Sequence, residues 1–175
     1  MTTTAEGTLN AEVVGSLGSE RTVPALCAAL DDPDANLRYW AVDALKAIRS
    51  PRSMGPLRER LEDSEANVRI GAFQALAALG DSGVVEVAPG FLADESYWVR
   101  GSIVDGLGFL GSEAALPLLE SSLTDEHEWV RREAVIALLQ VGSPMARPAL
   151  ERALFDEDFE VRIYAAEALK RLPVG

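Results

Sequence analysis

Residues 125–142 read DEHEWVRREAVIALLQVG, and this stretch decides the fold because its pattern recurs along the chain. Arginine recurs every 31 residues, an aspartate stands six positions before each arginine, and a leucine follows seven positions after it. The arginines are Arg38, Arg69, Arg100, Arg131 and Arg162, and the aspartates are Asp32, Asp63, Asp94, Asp125 and Asp156. A fixed period without insertions indicates a solenoid of stacked structural repeats.

Each repeat is predicted to contain a short helix followed by a long one. Positions −1, +3, +6, +7 and +10 from the arginine are apolar or small in nearly every copy, so they share one face of a helix. Glycine at a C′ position ends a helix in left-handed backbone, as expected of Gly80, Gly111 and Gly142. Proline costs least near a helix start, which places Pro24, Pro117 and Pro148 at the beginning of short helices. The long helices are predicted at about 36–48, 67–79, 97–110, 128–141 and 159–172.

These residues resemble the HEAT family, specifically its short PBS-lyase-type repeat D-x-x-x-x-V-R-x-x-A-x-x-A-L-x-x-L-G, over about residues 21–172. The resemblance implies an all-α fold, a right-handed α-solenoid of stacked antiparallel helix pairs whose long helices line the concave face. We expect about eleven helices in a single domain, residues 1–175, with an N-terminal capping helix at 8–18. The motif is specific for the fold and says little about function.

Composition narrows the range of partners. The formal net charge of −12 opposes binding to nucleic acid, whose phosphates are held by Lys and Arg. The chain has no apolar run long enough to span a membrane, no export signal at its start, and a single cysteine, which suits a reducing compartment. We therefore expect a cytoplasmic protein whose partner is another protein, with no nucleic acid, membrane or metal bound.

The aspartate and arginine ladders are predicted to be structural. An aspartate just before a helix can accept hydrogen bonds from free N–H groups, and the arginine can bridge it to the next repeat. Catalysis would need one distinctive copy, whereas these columns repeat evenly, so no catalytic residue is assigned. His127 is the only histidine, which argues against a transition-metal site. Cys27 is predicted to be a surface thiol without a basic activator.

The columns that vary between copies are the candidate binding surface. Opposite the buried stripe, aromatic and aliphatic residues stand where water is expected, and the central copies carry small residues. An interior glycine costs about 1 kcal/mol relative to alanine, which suggests a dip in a groove between Tyr39 and Trp40 on one side and Arg132 on the other. The candidate groove residues are Tyr39, Trp40, Asp43, Ile70, Gly71, Gln74, Gly101, Ser102, Asp105, Phe109, Arg132, Glu133 and Ile136.

Two alternatives remain open at this surface. The small residues could reflect tight helix packing, which Gly106 at a core column supports and Gly101 does not. Trp98 and Trp129 stand near the acidic turn, either as packing residues or as part of a binding surface.

The leading hypothesis is a non-catalytic scaffold that holds a partner's helix or extended segment in the concave groove, and a second HEAT-like subunit is one such partner. The resemblance implies an alternative, a phycobilin lyase or phycobilisome-degradation subunit that binds a linear tetrapyrrole. In that case Asp43 or Asp105 would accept hydrogen bonds from pyrrole N–H groups, and Arg132 would meet a propionate. A third hypothesis is an engineered or orphan scaffold with no small ligand, although the divergence between copies argues against a consensus design.

Overall fold

The computed structural model describes residues 20–173, and within this range the chain forms ten α-helices and no strand. The helices are α1 Val23–Ala29, α2 Ala35–Ile48, α3 Met54–Glu59, α4 Ala66–Ala78, α5 Val84–Leu92, α6 Tyr97–Leu110, α7 Leu116–Ser122, α8 Glu128–Val141, α9 Arg147–Ala153 and α10 Phe159–Arg171. Short 3₁₀ turns occupy Pro51–Ser53, Arg60–Glu62, Glu113–Ala115 and Pro144–Ala146. The long helices therefore begin 31 residues apart, as the repeat does. The capping helix predicted at 8–18 lies outside the described residues.

The helices divide into two compact units, and the division falls inside α4, between Ala75 and Leu76. In the first unit, α1 packs on α2. In the second unit, the pairs α5–α6, α7–α8 and α9–α10 form, and the long helix α8 packs against both α6 and α10. No helix among residues 20–173 combines the length and the apolar character needed to cross a membrane.

The apolar stripe of the long helices forms the core. The leucines seven positions after the ladder arginines are fully buried at Leu45, Leu76, Leu107 and Leu138. Burying a leucine side chain contributes about 1.5–3 kcal/mol, so a leucine in every repeat spreads stability along the array.

The long helices end at one repeated position. Gly80, Gly111 and Gly142 have φ of 77°, 67° and 69°, the left-handed backbone expected from the sequence. Arg49 stands in the same column and adopts a φ of 55°. Because left-handed backbone brings a Cβ close to the carbonyl oxygen, the first long helix ends less favourably than those that follow. The prolines of α1, α7 and α9 lie in the first turn, as predicted.

The two ladders join consecutive repeats within each unit. In the second unit, Arg100 donates from Nε and Nη2 to the carboxylate of Asp125 at 2.7 and 2.8 Å, and Arg131 holds Asp156 in the same way at 2.9 and 3.0 Å. In the first unit, Arg38 binds Asp63 at 2.8 Å through both nitrogens. Each bidentate pair fixes the distance and rotation between neighbouring long helices.

The remaining nitrogen of each ladder arginine binds its own repeat. Nη1 donates to the carbonyl oxygen of the preceding ladder aspartate at 2.7–2.9 Å in all five copies, Arg38 to Asp32, Arg69 to Asp63, Arg100 to Asp94, Arg131 to Asp125 and Arg162 to Asp156. The aspartates differ in detail from the expected helix caps. Each accepts a hydrogen bond from the N–H two residues later, in the turn before the helix, at Asp34, Glu65, Ser96, His127 and Asp158. The ladder therefore holds the turn and the neighbouring repeat at once.

Candidate binding surface on the long helices

In the second unit, α6, α8 and α10 present one continuous surface, here called the α6–α8–α10 face. It is made of side chains at equivalent positions of the three helices, Trp98, Asp105, Phe109, Trp129, Arg132, Glu133, Ile136, Gln140, Glu160, Ile163 and Tyr164. Contacts between successive helices link these positions, with Trp98 stacked on Trp129 and Arg132 bonded to Glu160.

Gly101 does not open a dip in this surface, and that prediction is wrong. Gly101 is buried, and a Cβ there would overlap the indole of Trp129, with Cε3 only 2.5 Å away. The physical reason is that Gly101 faces the next long helix, whose Trp129 fills the space beside it. Ser102, also predicted to line the groove, is buried as well. Because Gly101 has no side chain, the indole of Trp129 fits against it, and this packing accounts for the presence of both residues.

The two tryptophans differ in exposure although they stack. Their ring centroids are 5.3 Å apart with the planes 9° from parallel, and Trp98 remains 55% exposed while Trp129 is half-buried. Trp129 is therefore a packing residue that covers Gly101. Trp98 contributes an exposed ring to the surface. A glycine followed 28 residues later by a tryptophan, Gly101 and Trp129, is the sequence signal for this pairing.

His127 belongs to the same aromatic cluster and has a structural role. Its imidazole stacks on Tyr97 with centroids 3.8 Å apart, and Nδ1 accepts the backbone N–H of Trp129 at 3.2 Å. His127 is thus the N-cap residue of α8, and the lone pair of Nδ1 accepts a hydrogen bond from the first turn of that helix. Glu128 lies 3.7 Å from the same nitrogen, an ion pair only if the imidazole is protonated. The capping bond is shorter than this contact and requires no charge on the imidazole.

Two carboxylates come from adjacent helices of this face. Asp105 on α6 is exposed, whereas the side chain of Glu133 on α8 is only 17% exposed. Burial raises the pKa of Glu133, since it disfavours the charged form. The charge of Arg132 opposes this shift and the nearby charge of Asp105 adds to it, so the net pKa stays above its ordinary value.

Arg132 is already occupied by neighbouring side chains. Its Nη1 donates to Oε2 of Glu160, and its guanidinium lies 5.9 Å from the ring centroid of Tyr164. Nη2 of Arg132 and Oε1 of Glu133 are 3.8 Å apart, beyond hydrogen-bonding distance. A ligand anion would therefore have to displace Glu160 to bind this arginine.

The far end of the face is apolar. Phe109 is 52% exposed, and Ile136 is half-buried on the next helix. Between them α6 and α8 approach closely at Gly108, where a Cβ would lie 2.6 Å from Cα of Ala137. The face thus runs from an exposed tryptophan through two carboxylates to an exposed phenylalanine.

The first unit carries a smaller exposed patch on α2. Tyr39 and Trp40 are exposed and meet edge to face at 5.3 Å, and Asp43 pairs with Lys46 at 3.3 Å. The predictions for α4 are corrected at two residues. Ile70 is 7% exposed, and Gly71 is buried, with a Cβ there only 2.9 Å from Cγ1 of Val42. Positions +1 and +2 are therefore buried in α4, although the same positions of α2 carry the exposed Tyr39 and Trp40. Gln74 is half-buried.

Repeated helix pairs bridged by the same arginine–aspartate bond define the class of protein, an α-solenoid. The family model for HEAT repeats matches residues 10–77, 54–139 and 121–173. The chain belongs to the HEAT-repeat family, and both the fold class and the family predicted from the sequence are confirmed.

Several solved structures share this fold, although none of the curated proteins matches the sequence. The complex of CpcE and CpcF of phycocyanin lyase from Nostoc sp. PCC7120 has a TM-score of 0.73 at 23% identity, with 98% of this chain and 70% of that chain covered. An engineered protein has a TM-score of 0.69 at 23% identity, covering 93% and 84%. A designed armadillo repeat protein in complex with the peptide (KR)4 has a TM-score of 0.66 at 23% identity, covering 93% and 91%. At such identities the likeness establishes the fold alone.

Proposed function

We propose that this chain is a non-catalytic interaction module that holds a segment of a partner protein on the α6–α8–α10 face. The observation that carries the proposal is the set of large side chains left exposed there. Trp98, Phe109, Ile163 and Tyr164 each keep about half of their surface in contact with solvent. Contiguous exposed apolar surface on a rigid scaffold marks an interaction site.

The reactive groups of the chain support a binding role. His127 is used by the helix cap, and burial raises the pKa of the Cys27 thiol, which makes it a poorer nucleophile. The ladder carboxylates of Asp63, Asp125 and Asp156 are bonded to arginines. Recognition of an extended or helical segment needs only a preorganised surface, which a regular array of helices supplies.

The kind of partner follows from the same features. The designed armadillo repeat protein of similar fold is bound to a peptide, and the phycocyanin lyase structure of similar fold is a complex of two proteins. We infer that the partner of this chain is a protein, and a second HEAT-like subunit is one partner of this kind. A single cysteine fits a reducing compartment, so we propose the cytoplasm as the place of action.

A photo-crosslinking residue tests the proposal. p-Benzoyl-phenylalanine replaces Phe109 on the face and, as a matched control, Glu151, which is exposed on the short helix α9. In extracts of the source cells, position 109 should yield a discrete protein adduct and position 151 should not. A peptide copied from the adducted segment should then compete for position 109. Equal labelling at both positions, or no adduct at position 109, would contradict the proposal.

A second candidate function is binding of a linear tetrapyrrole, favoured by one observation. The carboxylate of Asp105 lies on the same helix face as the exposed ring of Phe109, so N–H acceptors and an apolar wall occur together. Asp43 beside Trp40 repeats this combination in the first unit. Arg132 could meet a propionate only by releasing Glu160. Purified protein mixed with a bilin should then show a red-shifted and sharpened absorption band, which Phe109→Ala removes. An unchanged bilin spectrum would exclude this candidate and leave the protein-binding proposal standing.

A further inference from the structure

We propose that His127 is a proton-sensitive N-cap of α8, and that its protonation changes the packing of Trp98 and Trp129 at one end of the α6–α8–α10 face. The inference adds regulation by pH to this surface. The rearrangement at His127 needs no partner, whereas its effect on binding rests on the proposed function.

The first argument is that one nitrogen atom of His127 has two mutually exclusive partners. Nδ1 accepts the backbone N–H of Trp129 at 3.2 Å, which requires that this nitrogen carries no proton. A protonated Nδ1 is a donor, and Oε2 of Glu128 lies 3.7 Å away on the same side of the ring. Glu128 is 59% exposed and has no other cation partner among residues 20–173. Protonation therefore exchanges a hydrogen bond to the backbone of α8 for an ion pair with a side chain.

The second argument is a comparison with the N-caps of two other long helices. At the same repeat position, Asp34 caps α2 by accepting the N–H of Asn36 at 2.8 Å. Asp158 caps α10 in the same way, at 2.9 Å from the backbone nitrogen of Glu160. A carboxylate accepts such bonds throughout the range from about pH 5 to about pH 8, in which histidine ordinarily changes charge. The start of α8 is therefore sensitive to protons in a range where α2 and α10 keep their caps.

The third argument is the charge around the imidazole. The titratable groups around it come from α8, from the turns before α8 and α10, and from α6, and each arginine among them is bonded to a carboxylate: Glu128, Asp125, Glu126, Asp156, Arg131, Arg100 and the phenol of Tyr97. The imidazole is 31% exposed, so a proton reaches it from solvent. A cation at the N-terminus of a helix is unfavourable, because the partial positive charge of the free N–H groups lies there. The protonated ring is therefore favoured away from the cap, turned towards Glu128.

The fourth argument is the contact between this cap and the exposed rings. The imidazole stacks on Tyr97 with centroids 3.8 Å apart, and Tyr97 meets Trp129 edge to face at 6.1 Å. The N–H that the imidazole holds is also that of Trp129, whose indole stacks on Trp98. A ring that leaves the cap thus removes support from Trp129 at its backbone and, through Tyr97, at its side chain. Because Tyr97 and Trp98 are both about half exposed, the surface offered to a partner changes with them.

NMR of the full-length chain from about pH 8 to about pH 5 tests the rearrangement. The imidazole signals of His127, the only histidine, report its protonation, and the backbone amide of Trp129 reports the cap. The amide of Glu160, capped by Asp158, is the internal control. We expect the Trp129 amide to shift in step with the imidazole and to lose protection from exchange relative to Glu160. A Trp129 amide that does not follow the imidazole, or an imidazole that takes up no proton above about pH 5, would overturn the inference.

A matched variant separates this rearrangement from other effects of acid. His127→Asn keeps a capping acceptor but carries no charge that depends on pH. Tryptophan fluorescence and near-ultraviolet circular dichroism are followed in a Trp40→Phe background, where Trp98 and Trp129 are the only tryptophans. We expect a one-proton transition with His127 and its loss in His127→Asn, with helical content unchanged in both. A transition that persists in His127→Asn would show that another group is responsible.

The effect on binding is measured by crosslinking at position 109 at the two ends of the same pH range. We expect the adduct to decrease in acid in the chain with His127 and to stay constant in the His127→Asn variant. The same pH dependence in both would refute the regulation. Absence of any adduct at position 109 would refute the proposed function and with it the effect on binding, while the NMR titration still decides the rearrangement at His127.

Discussion

The contact between α6 and α8 and the contact between α8 and α10, here called the first and the second seam, involve residues at the same two repeat positions. The two seams differ in the kind of interaction that these residues make. In both, position +1 of one long helix meets position −2 of the next. At the first seam these are Gly101 and Trp129, and the fit is steric. At the second they are Arg132 and Glu160, and the fit is an ion pair. A repeat position whose residue differs between copies can therefore differ because each residue fits its partner in the neighbouring repeat. Such variation alone does not identify a ligand-binding surface.

The two seams share the ladder, and breaking it should have the largest effect. Asp125→Ala and Asp156→Ala each leave a buried arginine, Arg100 or Arg131, without its bidentate partner. Each arginine would keep one bond to an exposed glutamate, Glu126 at 3.2 Å or Glu157 at 3.3 Å. An uncompensated buried charge costs about 3–5 kcal/mol, so both variants should lose a similar amount of unfolding free energy, near the lower end of that range. Urea unfolding followed by circular dichroism measures the loss. Glu151→Gln, on an exposed helix surface, serves as the control and should change little.

The stability contributed by the bond between Arg100 and Asp125 at the first seam should depend on pH. Burial alone would raise the pKa of Asp125, but hydrogen bonds from Arg100 and from the N–H of His127 outweigh it and hold this pKa below its ordinary value. A lowered folded-state pKa contributes stability above the unfolded value of about 3.9, and this contribution is lost as the pH falls through the folded pKa. The difference between wild type and Asp125→Ala should therefore shrink in acid. A difference that is constant down to strongly acidic pH would contradict this role.

At the first seam, the effect of Gly101→Ala on the free energy of unfolding should change sign when Trp129 is also replaced. In the wild-type background, Gly101→Ala should cost about 1–3 kcal/mol, because the new methyl group overlaps the indole of Trp129. In a Trp129→Ala background the same change should stabilise the protein by up to about 1 kcal/mol, since alanine favours a helix more than glycine does. Unfolding free energies of the four proteins give the coupling. Two destabilising values would show that Gly101 is required by something other than Trp129.

The sequence predicted those parts of the fold that depend on one repeat at a time. The ladder follows from the period, and the ends at Gly80, Gly111 and Gly142 follow from local backbone preference. Gly101 was misplaced because a helical wheel shows which residues share a face, but not the angle at which the next helix arrives. Gly71 was misplaced for a similar reason, because Val42 of the preceding long helix occupies the space beside it. Phe109 and Asp105 are exposed, as the pattern of the single helix predicts.

Removing the ion pair at the second seam should lower the free energy of unfolding much less than adding a methyl group at the first. Arg132→Met keeps the apolar stem over Tyr164 but removes the ion pair with Glu160, whose side chain is 59% exposed. Exposed ion pairs contribute about 0.2–1 kcal/mol and are screened by salt, so the loss should be small and should vanish at high ionic strength. Urea unfolding at two salt concentrations measures it. A loss as large as that of Gly101→Ala, unaffected by salt, would mean that both seams depend equally on their +1 residue.

The smallest expected effect has the opposite sign and concerns Glu133, which lies beside the ionic seam but takes little part in it. Burial raises the pKa of Glu133, so this residue favours folding in acid, and that contribution is lost as the pH rises through the folded pKa. Glu133→Gln should therefore stabilise the free protein at neutral pH, by at most about 1 kcal/mol, and the two unfolding curves should converge in acid. Greater stability of the wild type at neutral pH would show that Arg132 already compensates this carboxylate.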